Sequence, residues 1–419
     1  GLVGSEMCIR DSYRTDYFKK RSKICIKTLG LREYSFWNKQ PKGVLYMKAV
    51  IKEGQITGGY SPVEAVFAGI AASEVSGRII VGRSEKGRST EMGVISGLLS
   101  GGSSVISLGR CLETELFFAS RLAKCGLCIY IKDEPLMKLD IREKGGLPLS
   151  SDKERIISEA LSKRRVPDLA VPEGMLTDGR SFREIYRQHI EGLIPENCPY
   201  NIKISSSSPV CEKILLNRKG EKEMVVQLSP DGVKAALYSD ESGFVPYEKL
   251  IFICCNHIFS QGRDAALPFD FTFAAEDYAK SRGRKIYRYY SSGDGREDEY
   301  ARRLAKEQNF TLDGIFLAAM VIGILCGRKI NLKQAVSELP DFYTTKRFIN
   351  TDGDNIRSIM NHWEGRKTPD GTAFRDKKSR VIVKPSVSGR GIWLSVESFS
   401  MEAASELCGE IESRIKNTE

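Results

Sequence analysis

The sequence predicts an α/β protein closed by a small α+β unit. Three observations lead there. From Met47 onward helical and strand-like segments alternate, the strand-like segments are short apolar runs, and the last 75 or so residues change to paired strands followed by one amphipathic helix. At 419 residues, and roughly 100–200 residues per domain, there is room for two to four domains. In order, Ser61-Pro62-Val63-Glu64 opens a helix with a capping serine, proline at the first helical position and an acid in the first turn, running to about Val75. Residues 78–82 form a strand, 89–100 a helix and 104–108 a second strand. Residues 112–124 are helical and 127–131 are a third strand, so the stretch is a βαβαβ unit with a largely parallel sheet. Weaker repeats of the pattern follow at 180–260 and 265–327. Near the end, 381–384 and 391–396 pair around a Ser/Gly turn, and a helix runs from Met401 to about Ile415.

Composition narrows the class. With 41% hydrophobic and 28% charged residues, the chain has an ordinary globular balance. Its longest apolar run, 315–326, falls short of the ~20 residues of a membrane span, and no secretory signal pattern is present, so a cytoplasmic location is expected. Eleven cysteines, an odd number set in apolar segments such as Ile251-Phe252-Ile253-Cys254-Cys255, read as buried free thiols. Three histidines are too few for His-rich metal chemistry. The net charge of +10 raises nucleic-acid binding, but residues 1–46 hold ten Lys/Arg against four Asp/Glu, leaving only +4 for the rest. Residues 1–12 resemble a translated sequencing adapter. Residues 13–46 cluster Lys19, Lys20, Arg21 and Lys23 without a period and are expected to be a leader outside the fold, with Met47 the expected start. A basic arm for nucleic acid is the alternative.

The motifs then carry a resemblance. Ile79-Ile80-Val81-Gly82-Arg83-Ser84, Ser89-Thr90-Glu91-Met92, the glycine- and serine-rich run 97–109, and Glu113-Thr114-Glu115-Leu116-Phe117-Phe118-Ala119 together resemble the first domain of the alpha-D-phosphohexomutases, the phosphomannomutase, phosphoglucomutase and phosphoglucosamine mutase superfamily. Lys384-Pro385-Ser386-Val387-Ser388-Gly389, followed by 395–398 and a helix, is similar to that family's C-terminal phosphate-binding domain. Gly293-Asp294 before a helix, Asp313-Gly314 opening an apolar helix and Leu339-Pro340 closing a linker fit more loosely. The resemblance covers roughly 47–419. It implies four domains around a central cleft: related α/β/α sandwiches at 47–150, 151–247 (shortened) and 248–345, and a smaller α+β domain at 346–419.

The family's chemistry rests on four loops. Its phosphoserine lies in a Thr-Ala-Ser-His-Asn-Pro loop after the third strand, where a hydroxyl carries the transferable phosphoryl group. This chain has Tyr130-Ile131-Lys132-Asp133-Glu134-Pro135 there. Lys132 stands at the serine position, where an ammonium cannot make a stable phosphomonoester, and Asp133 replaces the acid-base histidine. No Ser or Thr lies between Ser120 and Ser150. The family's metal loop supplies three aspartates to a small hard cation. Its counterpart, Ser229-Pro230-Asp231-Gly232-Val233-Lys234, keeps one, so Asp231 is the remaining magnesium candidate and a Pro-Asp-Gly turn the simpler reading. Glu307-Gln308-Asn309-Phe310-Thr311-Leu312 replaces the sugar-discriminating Glu-x-Ser-Gly-His loop, and 47–52 replaces the amino-terminal glycine-rich loop. A phosphate cradle survives: Lys384, Ser386, Ser388 and Arg390, with Gly389 and Gly391, set two cations, two hydroxyls and permissive amides in one turn.

Other candidates are weaker. Cys125 and Cys128 form a CxxC with no second pair at zinc spacing and read as core thiols. Arg83, Lys86 and Arg88 follow the first strand's carboxyl end, where α/β folds bind ligands, and are loop surface or cleft lining alike. His189, His257 and His362 read as structural. Two functions remain. The first is a phosphohexomutase fold that has lost phosphoryl transfer and binds a phosphorylated sugar or a partner subunit such as a catalytic paralogue. The second is a working magnesium-dependent isomerase of carbohydrate metabolism, an intramolecular phosphotransferase with displaced catalytic groups. Loss of nucleophile, metal ligands and sugar loop together favours the first, and fold alone does not imply function.

Overall fold

The structure is a computed structural model and describes residues 49–57, 62–132, 138–164, 166–167, 172–206, 218–291, 293, 296–351, 353–375, 379–386 and 391–416. The chain divides into two units, 1–47 and 48–419, and the described residues all belong to the second.

Strands β1 (Val50–Lys52) and β2 (Gln55–Thr57) make a hairpin turned at Glu53 and Gly54, both in the left-handed region (φ 48° and 76°). Helix α1 (Pro62–Ser73) leads into the βαβαβ unit of β3 (Arg78–Arg83), α2 (Arg88–Ser100), β4 (Ser104–Arg110), α3 (Glu113–Leu122) and β5 (Leu127–Lys132). Strand β6 (Lys138–Glu143) returns antiparallel to β5, and α4 (Ser151–Lys163) and β7 (Leu176–Asp178) follow. All seven strands join one sheet in the order β1-β2-β6-β5-β3-β4-β7, in which β3 lies parallel to β4 and β5, and β4 to β7. Alternate strand residues face opposite layers. Ile79, Val81 and Ile129 pack under α1, α2 and α4, whereas Ile80, Ile106 and Cys128 pack under α3. Residues 151–178, expected in a second domain, thus add α4 and β7 to the first sheet and its covering layer.

Helix α5 (Ser181–Glu191) precedes β8 (Tyr200–Ser206), β9 (Lys222–Leu228), β10 (Ala235–Ser239) and β11 (Gly243–Val245), which form a four-stranded sheet, and α6 (Tyr247–Ser260). Next come β12 (Ala265–Pro268), α7 (Ala274–Ser281), β13 (Ile286–Tyr289), α8 (Arg296–Gln308), α9 (Gly314–Arg328) and α10 (Leu332–Ser337), with β12 and β13 paired in parallel. Helix α9 is apolar over most of its length and buries most of its surface, with Phe316, Met320 and Gly323 left half-buried along one side. Leu317, Val321 and Leu325 join Tyr186, Met224, Leu237 and Phe252 in one continuous core. The segments expected as second and third sandwiches share that core.

The C-terminal unit matches its expected pattern. Strands β14 (Tyr343–Asn350), β15 (Arg366–Thr368), β16 (Gly371–Arg375), β17 (Ser379–Pro385) and β18 (Gly391–Ser398) form an antiparallel sheet, β14-β18-β17-β16-β15, with α11 (Gly353–His362) and α12 (Met401–Lys416). One face buries Val381, Val383, Leu394 and Val396 against Cys408 and Ile411. From the other, Arg380 donates to the carbonyls of Phe269 (2.9 Å) and Phe271 (2.7 Å), and Glu397 accepts from the amides of Phe273 (2.9 Å) and Ala274 (3.0 Å). No helix among the described residues is long and apolar enough to cross a membrane.

Candidate functional site

Lys132 is the last residue of β5, at the carboxyl end where parallel sheets present side chains to a crevice. In the β5–β6 pairing Tyr130 lies opposite Asp140 and Lys132 opposite Lys138, so Lys132 and Asp140 are diagonal neighbours on one face. The Lys132 ammonium bridges two carboxylates: its Nζ is 2.8 Å from Glu113 Oε1 and 3.1 Å from Asp140 Oδ2. Glu113 opens α3, where the helix dipole favours an anion. Arg142 closes the group from the next outward position, with Nε 2.8 Å from Asp140 Oδ1 and Nη2 3.2 Å from Oδ2.

The electrostatics follow from burial. Burial pushes the Glu113 carboxyl up to about 7, with Asp140 and Asp231 adding to the rise and Lys132 opposing it. Burial alone would lower the Lys132 ammonium, but Glu113 and Asp140 outweigh it and hold the group well above the usual lysine range. Burial likewise works against the Asp140 carboxylate, and Arg142 and Lys132 overcome it to keep it below its ordinary value. A lysine so held stays protonated at neutral pH and has no lone pair for attack. The neighbouring Asp133, Glu134 and Pro135 lie outside the described residues.

A second cluster forms at the end of β17. Lys384 Nζ donates to Ser291 Oγ (2.9 Å) and lies 3.9 Å from Glu53 Oε2. The Ser291 amide and hydroxyl both donate to Asp370 (2.8–2.9 Å). Lys52 Nζ reaches the Ser386 carbonyl at 3.1 Å, and the Ser386 amide donates to Gly391 O at 2.9 Å, closing the β17–β18 hairpin. Burial raises the Glu53 carboxyl, with Lys384 opposing and Asp370 adding. Lys384 and Ser386 of the expected cradle therefore meet Lys52, Glu53, Ser291 and Asp370. Ser388, Gly389 and Arg390 lie outside the described residues. Of the sequence features, the segment 47–52 and Gly293-Asp294 lie beside these additions, but no motif pointed to the side chains themselves. Glu113 opens the Glu113-to-Ala119 motif, but nothing in that motif marked its side chain as a partner of Lys132, and Asp140 carried no motif.

The remaining expected loops are structural. Asp231 Oδ1 accepts from Ser229 Oγ (2.6 Å) and the Val233 amide (3.0 Å), inside a turn closed by Ser229 N to Lys234 O (3.0 Å). One carboxylate already spent on its own turn does not fit magnesium, which demands several oxygens, and among the described residues no three His, Cys, Asp or Glu converge as ligands. In the segment 307–312, Gln308 accepts from Ala266 N (2.9 Å) and donates to Asp264 O (2.8 Å), Phe310 is fully buried, and Thr311 bonds Tyr289. This segment packs the fold. Arg83 pairs with Glu91 at 2.9 Å, while Lys86 and Arg88 are exposed. Cys125 and Cys128 are buried, and burial raises both thiols, Cys128 to about 12. His189 stacks between Phe118 (5.2 Å) and Phe316 (5.8 Å), and His257 bonds Gln261. The His362 side chain lies outside what is described.

No protein-family profile matches the chain, and no curated protein does. Solved structures do. A phosphoglucomutase/phosphomannomutase family protein from Burkholderia thailandensis aligns with TM-score 0.66 at 13% identity, over 89% of this chain and 98% of that one. A putative phosphomannomutase from Thermus thermophilus aligns with TM-score 0.66 at 12% identity, over 89% and 100%. The open form of the phosphoglucomutase parafusin from Paramecium aligns with TM-score 0.52 at 12% identity, over 85% and 91%. With the seven-stranded first sheet, the shared central core and the C-terminal sheet all in place, this chain has the alpha-D-phosphohexomutase fold.

Proposed function

We propose that this protein is a phosphohexomutase fold that does not transfer phosphoryl groups through the end of β5, and that it binds a phosphorylated sugar beside Lys384 and Ser386. The ion-paired Lys132 carries the reading. Phosphoryl transfer of this kind needs a hydroxyl that is esterified and released in turn, and Lys132 offers an ammonium clamped between Glu113 and Asp140 (2.8 and 3.1 Å). Lys384 and Lys52 supply the positive charge an anion requires. In this proposal the four-part division is kept, with the first boundary placed after Asp178, where the first sheet ends. A catalytic paralogue is the partner subunit the reading allows.

The test is a coupled mutase assay of the full chain on glucose, mannose and glucosamine phosphates, with magnesium and a hexose bisphosphate supplied. No turnover is expected. Turnover that survives Lys132→Ala and needs magnesium would overturn the proposal in favour of an active isomerase. The Ser291 hydroxyl, held between Lys384 and Asp370 (both 2.9 Å), would then be the group to examine, by the effect of Ser291→Ala on that turnover.

A further inference from the structure

The face of the C-terminal sheet turned away from α11 and α12 ends in one cross-strand row. Lys384 on β17 is in register with Trp393 on β18, and Trp393 with Phe348 on β14. Side chains in one row of a pleated sheet stand side by side on the same face. The flanking residues Val383, Leu394 and Ile349 point the other way, into the core. The row is therefore a cation, an indole and a phenyl ring in line, with the cation at the phosphate cradle.

Four features mark it as a binding surface. Trp393 is 49% and Phe348 39% exposed, and adjoining large aromatics left half in water mark interaction sites. Their ring centroids are 4.9 Å apart at 55°, which makes a shallow trough. A Cβ at Gly391 would lie 2.3 Å from the Ile349 carbonyl oxygen and 2.6 Å from the end of the Phe348 ring, so the glycine required by the close backbone of β14 also leaves the ring its room. Lys346, two residues before Phe348 and on the same face, places a second cation next to the row.

We infer that Trp393 and Phe348 form a stacking platform for the sugar ring of a hexose phosphate whose phosphate is held by Lys384. This deepens the sugar-phosphate reading above and rests on it. One face of a pyranose carries C–H groups that pack on an aromatic face. The ring edge carries the phosphate, and the row offers the apolar surface and the cation in that order.

Calorimetric titration of the full chain with inorganic phosphate, glucose 6-phosphate, glucose 1-phosphate and uridine monophosphate tests this. The parent should bind a glucose phosphate at least tenfold more tightly than inorganic phosphate. Trp393→Ala should remove most of that difference and leave inorganic phosphate binding unchanged, Phe348→Ala should remove part of it, and Trp393→Phe should keep most of it. Trp393 is half exposed, so its variants should fold, and circular dichroism checks that they do. Glucose phosphates binding no more tightly than inorganic phosphate, or equally to parent and Trp393→Ala, would overturn the platform and leave the phosphate reading standing. Failure of the parent to bind any of the four ligands would overturn the phosphate reading itself. Tighter binding of uridine monophosphate than of either glucose phosphate would overturn the sugar assignment in favour of a nucleobase.

Discussion

At the scale of single residues, Lys132 and Glu113 decide the chemistry at the end of β5. A lysine after the third strand is visible in the sequence, and so is the absence of any Ser or Thr between Ser120 and Ser150. That the ammonium is clamped is not visible, because Asp140 arrives across a hairpin and Glu113 from the preceding helix. Glu113 has a measurable consequence. Its carboxyl is raised from 4.5 to about 7 in the folded chain, so between those values the native state binds a proton that the unfolded state releases. The resulting stability is fully present below 4.5 and is lost as pH rises through about 7. Melting temperature should therefore carry a downward component between pH 5 and 8 that Glu113→Gln removes. Equal pH slopes in parent and variant would show that Glu113 titrates normally.

At the scale of elements, the strands and helices were legible because their signals are local. Apolar runs gave β3, β4 and β5, the Pro-Asp-Gly turn gave the β9–β10 connection, and Asp313 ahead of an apolar run gave α9, whose first turn it caps by accepting from Phe316 N at 2.9 Å. The close approach of α1 and α2 was not legible, since Gly69 and Gly97 look like ordinary tolerated glycines. A Cβ on Gly97 would lie 2.0 Å from the Val66 carbonyl oxygen, and one on Gly69 2.2 Å from that of Val94. The obstacle is backbone, which cannot rotate away, so Gly97→Ala should destabilise the protein by about 1–3 kcal/mol through overpacking. Urea denaturation reads this directly. An unchanged midpoint would mean that the helices can separate at no cost.

At the scale of the whole molecule, the C-terminal sheet is docked through polar groups that no pattern announces. Arg380 lies over the Phe273 ring, 3.3 Å from its centroid, and donates to two carbonyls of the 269–271 segment. Glu397, its register partner on β18, caps the start of α7 through the Phe273 and Ala274 amides. These contacts hold the C-terminal sheet against the segment that leads into α7, and on the same face Lys384 meets Ser291. Replacing Glu397 by Ala leaves the Phe273 amide without its acceptor and the Ala274 amide with only Thr272 Oγ1 at 3.2 Å, a loss of about 0.5–2 kcal/mol by analogy with helix caps. Hydrogen exchange at Phe273 and Ala274 should quicken in Glu397→Ala while the first sheet is unaffected. Unchanged exchange at those two amides would show that the docking does not depend on this carboxylate.

The sequence by itself determined the α/β alternation, the parallel first unit and the strand pair and closing helix of the C-terminal unit, because each depends on neighbours along the chain. Only the tertiary structure decided that residues 151–178 complete the first sheet, that 307–312 is packing, that Asp231 is consumed in its turn, and that Lys384 lies in one row with Trp393 and Phe348. Those facts depend on register and on partners far apart, Lys52 and Ser386 being 334 residues distant. The free energy of such contacts comes from burial and geometry after folding, which no local spacing records.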